Sequence, residues 1–177
     1  MKTQGTPGVL MGSMVGALLT AALIAVFYAG WRLADLPFVP FDVFDWTTRI
    51  LPGAFIEFII SAMVAVIRGL HLGPTSVAAK IIEQAMGIVG LFITGVVAGA
   101  VLFSVLRALR NRYAYVSGLI LGLLAAIPAV LISSLLGKAA VAPPVVSALW
   151  ILFVFASWGT AFGWAYLQMS AISAPVE

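Results

Sequence analysis

The sequence has no cysteine and a single histidine, His71. The first absence excludes disulfides, thiolate metal sites and cysteine nucleophiles. The second excludes a haem held by two histidines of this chain and a three-histidine zinc site. Charge is the third scarcity. Nine Lys and Arg and six Asp and Glu make up 8% of the 177 residues. A soluble domain carries roughly 25%. So few ionisable groups cannot cover an 18.6 kDa globule in water. A soluble enzyme, a nucleic-acid binder and a disordered chain are excluded together. The net charge of +3 and the pI near 9.6 follow from a small excess of Lys and Arg among few charges. In membrane proteins such an excess marks cytoplasmic loops.

What remains is apolar: 63% of the residues are hydrophobic, and the mean hydropathy is +1.18. The charges divide the chain into windows. Residues 3–31, 84–106, 113–137 and 139–176 carry none. A bilayer core of roughly 30 Å needs about 20 apolar residues in a helix. Each window therefore holds one span, and the sequence predicts helices over 8–31, 84–107, 114–136 and 145–168. Pro143 and Pro144 leave the last window too short for two spans. Period-2 alternation is absent, which argues against a β-barrel. Tyr28, Trp31, Tyr113, Tyr115, Trp150, Trp164 and Tyr166 fall near span ends, where amphipathic rings settle at headgroups. The first apolar run exceeds a signal peptide's h-region of about 7–15 residues and lacks a clear cleavage site. It is expected to be an uncleaved helix. Pro128 should kink the 114–136 helix.

Residues 32–83 are harder to place. The segment DLPFVPFDVFDWTTRILPG mixes Phe38, Phe41, Phe44 and Trp46 with Asp42 and Asp45 and contains several prolines. It cannot be a regular span, and we expect an aromatic segment over 32–53 lying along the interface. A helix follows over 54–70, on which Glu57, Ser61, Ala65 and Arg68 form one stripe. It is either a fifth span or an interfacial or re-entrant helix. Its wide apolar arc favours the span. Ser76 is the expected N-cap of the next helix. The expected fold is thus all-α: one transmembrane domain over 1–177, a polytopic bundle of five helices, or four if 54–70 does not cross. The densest basic cluster, Arg107, Arg110 and Arg112, is expected in the cytoplasm. Five spans put the N-terminus outside and the C-terminus inside; four put both inside.

Small residues recur four apart on one helix face. These are Gly8, Gly12 and Gly16, then Gly95 and Gly99, Gly118 and Gly122, and Gly159 and Gly163. In lipid, helices associate by close backbone approach over such residues. The faces serve either packing within the bundle or docking of another subunit's helices. Ionisable residues at membrane depth are functional candidates, and Glu57 and Arg68 are the candidates here. Lys80 and Glu83, three apart, are expected as an interfacial ion pair. No Ser/His/Asp set, phosphate loop or HExxH motif is present, so no catalysis by this chain alone is expected.

The stretch PFDVFDWTTRILPGAFIEFIISAMVAVIRGL, followed by AAKIIEQAMG, resembles the N-terminal transmembrane region of bacterial sulfite-oxidase-type molybdopterin-dependent oxidoreductases. Phe44, Asp45, Trp46, Arg49, Leu51, Pro52, Gly53, Lys80 and Glu83 carry the resemblance. It extends loosely over most of the chain. The 177 residues do not include the cofactor-binding domain, and with no cysteine to ligate molybdenum that chemistry does not carry over. The resemblance implies an anchor module in a bacterial inner membrane, holding a redox or photosynthetic partner subunit by Phe44, Asp45, Trp46 and Arg49. No cofactor within the chain is expected, but lipid, a pigment or a quinone could sit at a shared interface. The alternative is a small transporter or substrate-binding transport component. That reading requires polar groups such as Glu57, Ser61, Thr94, Ser133, Ser134, Ser157, Thr160 and Gln168 to converge inside the bundle.

Overall fold

The computed structural model describes residues 8–53, 57, 61, 64, 65, 69, 75–108, 113–136 and 142–172. Among them are five continuous helices: α1 (Val9–Ala34), α2 (Val39–Ile50), α3 (Thr75–Ala108), α4 (Ala114–Leu136) and α5 (Pro144–Ile172). Four contain segments long and apolar enough to cross a membrane: Val9–Ala34, Lys80–Ala108, Ala114–Leu136 and Pro144–Ala171. The helices present their large apolar side chains outward. Leu10, Leu18, Leu33 and Leu135 are 77%, 72%, 86% and 77% exposed. A bundle with such a surface is solvated by lipid. The protein is an integral membrane helix bundle.

The predicted spans are found, with longer ends than expected. The first runs on to Ala34, the last to Ile172, and α3 begins at Thr75 rather than near residue 84. Ser76 therefore lies inside α3 and does not cap it. Charge gaps mark where a helix leaves the hydrocarbon, not where its hydrogen bonding ends. Lys80 and Glu83 pair across one turn at 3.5 Å on this extension. The α4 helix continues unbroken through Pro128.

Contacts over glycine set the arrangement. A Cβ on Gly12 would strike the Gly99 carbonyl, one on Gly99 the Gly12 carbonyl, and one on Gly16 the Gly95 carbonyl. So α1 and α3 run antiparallel. Gly118 and Gly159 face each other's carbonyls in the same reciprocal way, Gly122 meets Phe155, and Gly163 meets Ala114. So α4 and α5 are also antiparallel. At this approach the glycine Cα–H groups point at carbonyl oxygens across the interface, which adds weak hydrogen bonds to dispersion. Gly8 stands at the end of its face, with the Arg107 guanidinium as its neighbour. The recurring glycines thus pack the bundle's own helices together. Phe27, Phe103, Phe155 and Phe162 join the two pairs. Phe27 meets Trp150 and Phe155, and Phe103 meets Tyr166.

These directions put one end of the bundle at Trp31, Ser133 and Trp150, and the other at Arg107, Tyr113 and Tyr166. Because α3 returns antiparallel to α1, the chain between them makes no net crossing. The described helices cross four times, the lower of the two expected counts. The expected helix over 54–70 lies largely outside the described residues; Gly53, Glu57, Ser61, Val64, Ala65 and Gly69 are helical.

The aromatic segment is more regular than expected. Asp35 adopts φ 50°, in the left-handed region, and its N–H and that of Leu36 both reach the Gly30 carbonyl, which ends α1. Pro40 sits in the first turn of α2, where a missing N–H costs nothing. Leu51, extended before Pro52, ends the helix. The prolines thus bound a short helix instead of preventing one.

Glycine packing makes a direct prediction. Gly95→Leu and Gly159→Leu should each destabilise the bundle by about 2 kcal/mol or more, because the new side chain would run into the buried, β-branched Thr20 in the first case and into the backbone of Gly118 and Gly122 in the second. Gly90, with nothing within 4 Å of its Cβ position, should accept alanine with no loss of stability. Thermal unfolding in mild detergent, compared across the three variants, checks this.

Candidate functional site

The helix α2 is the one continuous described helix too short to cross. It lies at the Trp31 end, across α3 and α4. Its inner face is Phe38, Val39 and Asp42, which are 2%, 1% and 7% exposed. Phe38 contacts Phe41 edge-on at 4.4 Å between ring centres and also meets Tyr28 and Trp31. Arg32 stands 5.6 Å from the Trp31 ring, within cation–π range. The bare Cα of Gly87 on α3 receives the Pro40 carbonyl and the Phe44 side chain.

Four residues were expected to face a partner. Phe44, Asp45 and Trp46 are half-buried, and Arg49 is exposed. Arg49 Nη2 donates to Asp45 Oδ2 at 2.7 Å, one turn away on the same helix. The structure therefore brings these four onto one short helix, partly open on its outer side. Glu57 and Ser61 are exposed. Arg68 and His71 lie outside the described residues.

Asp42 was not singled out in the sequence. Ser133 Oγ of α4 donates to Asp42 Oδ2 at 2.8 Å. Burial pushes the Asp42 carboxyl above the ordinary carboxylate range, the Ser133 hydroxyl pulls it part of the way back, and the Asp45 carboxylate adds a smaller push upward. A signal for this was present. With helical spacing, residues 38, 39 and 42 share a face, and Asp42 is the carboxylate on it. The prolines obscured that spacing.

The hydroxyls expected to converge under a transport reading do not. Thr94 and Thr160 donate to the carbonyls of Gly90 and Ala156 on their own helices, Ser134 to Leu131, and Ser133 to Asp42. Ser157 and Gln168 are exposed. Deeper in the bundle, Thr20 Oγ1 and the indole N–H of Trp158 are buried without a conventional partner. Thr20 rests against the Gly95 Cα. Among the described residues, no group of three or more His, Cys, Asp or Glu could hold a metal. An apolar groove of about 520 Å³ follows the outer face of α5 from Phe153 to Trp164, with Tyr115 of α4 on its rim.

No family model, curated protein or solved structure matches the chain.

Two substitutions separate the inner and outer faces of α2. Phe38→Ala removes a buried ring and should cost about 3–5 kcal/mol. The loss should appear as faster backbone hydrogen exchange in α2 while the four spans stay protected. Arg49→Ala breaks an exposed one-turn pair and should change stability by no more than about 0.5 kcal/mol. Detergent unfolding curves of the two variants test the difference.

Proposed function

We propose that the chain is a non-catalytic integral-membrane subunit or anchor of a larger complex in a bacterial inner membrane. The partner is a redox or photosynthetic subunit held at the outer side of α2. The observation that carries this reading is the division of labour in the bundle. The spans pack against one another through glycine and apolar rings, and the described hydroxyls at membrane depth mostly turn back onto their own helices. Meanwhile α2 is a docked helix whose outer side carries Phe44, Asp45, Trp46 and Arg49. An aromatic–arginine surface of this kind is typical of binding hot spots. The resemblance of these residues to the transmembrane region of sulfite-oxidase-type oxidoreductases points the same way.

The cluster of Arg107, Arg110 and Arg112 supports a cytoplasmic placement of that end of the bundle. The opposite end, with α2, then faces away from the cytoplasm. The groove between Phe153 and Trp164 is where lipid, a pigment or a quinone shared with a partner would lie. The competing transport reading needs polar groups meeting mid-bundle. The placement of Glu57, Ser61, Ser157 and Gln168 on exposed positions weighs against it.

Purification from native membranes in mild detergent tests the proposal. A stoichiometric partner bearing a redox centre or pigment is expected to remain with the protein. A monodisperse lone bundle that binds a small solute would refute the anchor. The double variant Trp46→Ala, Arg49→Ala should lower partner retention at least tenfold, roughly the loss of 1.4 kcal/mol, without unfolding the bundle. Full retention in the double variant rejects α2 as the docking site.

A further inference from the structure

Most of what holds α2 on the bundle is indifferent to pH. The rings of Trp31, Phe38 and Phe41 and the contact at Gly87 carry no ionisable group. Asp42 does. It is 7% exposed, it points into the bundle, and its hydrogen bond from Ser133 joins α2 to a helix 91 residues away.

Among the described residues, no charged group pairs with it; Arg68, His71 and Lys138 lie outside them. At this end α1 carries Arg32 and Asp35. On α2 itself, Asp45 and Arg49 are paired with each other. On α3, Lys80 and Glu83 are paired with each other. Neither α4 nor α5 contains a charged residue over Ala114–Leu136 or Pro144–Ile172. No ion pair to Asp42 occurs among the described residues. A carboxylate buried with one hydroxyl donor and no cation is costly, whereas the neutral acid is not.

We propose that Asp42 and Ser133 form a protonation-operated latch that docks α2 on the bundle while Asp42 carries its proton and loosens it when the proton leaves. The consequence for partner binding rests on α2 being the partner platform; the latch itself does not. The raised carboxyl value supports the direction. A free α2 would lose the Asp42 proton near the ordinary value of about 3.9. Docked α2 keeps it to higher pH. Docking is therefore strongest at acidic pH. It weakens as pH rises from about 3.9 through the raised value, by at most about tenfold per pH unit for one proton, and then levels off.

The absence of cysteine in the chain allows clean labelling. Nitroxides at Ile50→Cys on α2 and Leu135→Cys on α4, both exposed positions, report the distance between the two helices by pulsed electron resonance in nanodiscs. From pH 4 to pH 9 the narrow docked distribution should give way to a broader, longer one through a single-proton transition. Asp42→Asn, which keeps an acceptor but no titration, should stay narrow throughout. Ser133→Ala removes the bond that joins α2 to α4 and should move the opening midpoint to lower pH, because docked α2 is then weaker in either protonation state. A distribution unchanged across the range, or an Asp42→Asn variant with the original midpoint, overturns the latch. If Asp42→Asn does not fold, an unmoved midpoint in Ser133→Ala overturns it as well. Partner retention measured over the same range separates the two claims. A latch that opens without loss of partner rejects the platform and leaves the latch standing.

Discussion

The close approach of backbone to backbone over glycine is the constraint on which this fold depends. Lipid tails are as apolar as the side chains they would replace, so burial alone does not draw spans together. Contact has to be better than lipid can offer. At Gly12 against Gly99 and Gly118 against Gly159 each helix places a carbonyl where the other would have a Cβ. The gain is dense van der Waals contact along two long antiparallel seams. The aromatic core between the pairs, with Phe27, Phe103, Phe155 and Phe162 at its centre, exists because the seams fix where those rings stand.

The same constraint explains the fate of the polar residues. Lipid supplies no hydrogen-bond donors or acceptors, so a hydroxyl on a span satisfies itself most cheaply on its own helix. Ser13, Thr94, Ser104, Thr160 and Ser170 each donate to the carbonyl four residues earlier. Such a residue marks no site. Ser133 is different because it turns away from its own backbone to Asp42 on α2. This cross-element bond lies at the end of the bundle, where α2 closes over α3 and α4 and where the residues proposed to face a partner also lie. Structure and proposed function therefore meet on one short helix rather than in the bundle's interior.

Composition and spacing made the membrane class legible, because lipid requires long uncharged helices and tolerates few alternatives. The positions of the four spans followed from gaps between charges, and the glycine faces from a four-residue repeat. Helix ends did not follow, since Thr75 to Glu83 is helical despite Lys80 and Glu83. Residues 39–50 were rightly denied a span, but their short helix was not foreseen, for a local reason. Pro37 and Pro40 look like breakers, but one precedes the helix and the other occupies its first turn, where proline is harmless.

What the sequence determined by itself was a set of apolar helices with bare faces, because both properties are written in residue type and period. Which faces meet was decided by the tertiary structure. Gly12 could have matched any of several glycines, and the antiparallel return of α3 along α1 selected Gly99. That return also reduced the count of crossings to four, which no hydropathy window over 54–70 could decide. Asp42 shows the same limit most sharply. Its type and number were plain from the start, yet it becomes a buried acid bonded to another helix only because α4 ends beside α2 and brings Ser133 within 2.8 Å. Burial is a property of the neighbours a residue acquires, and those are set by the fold.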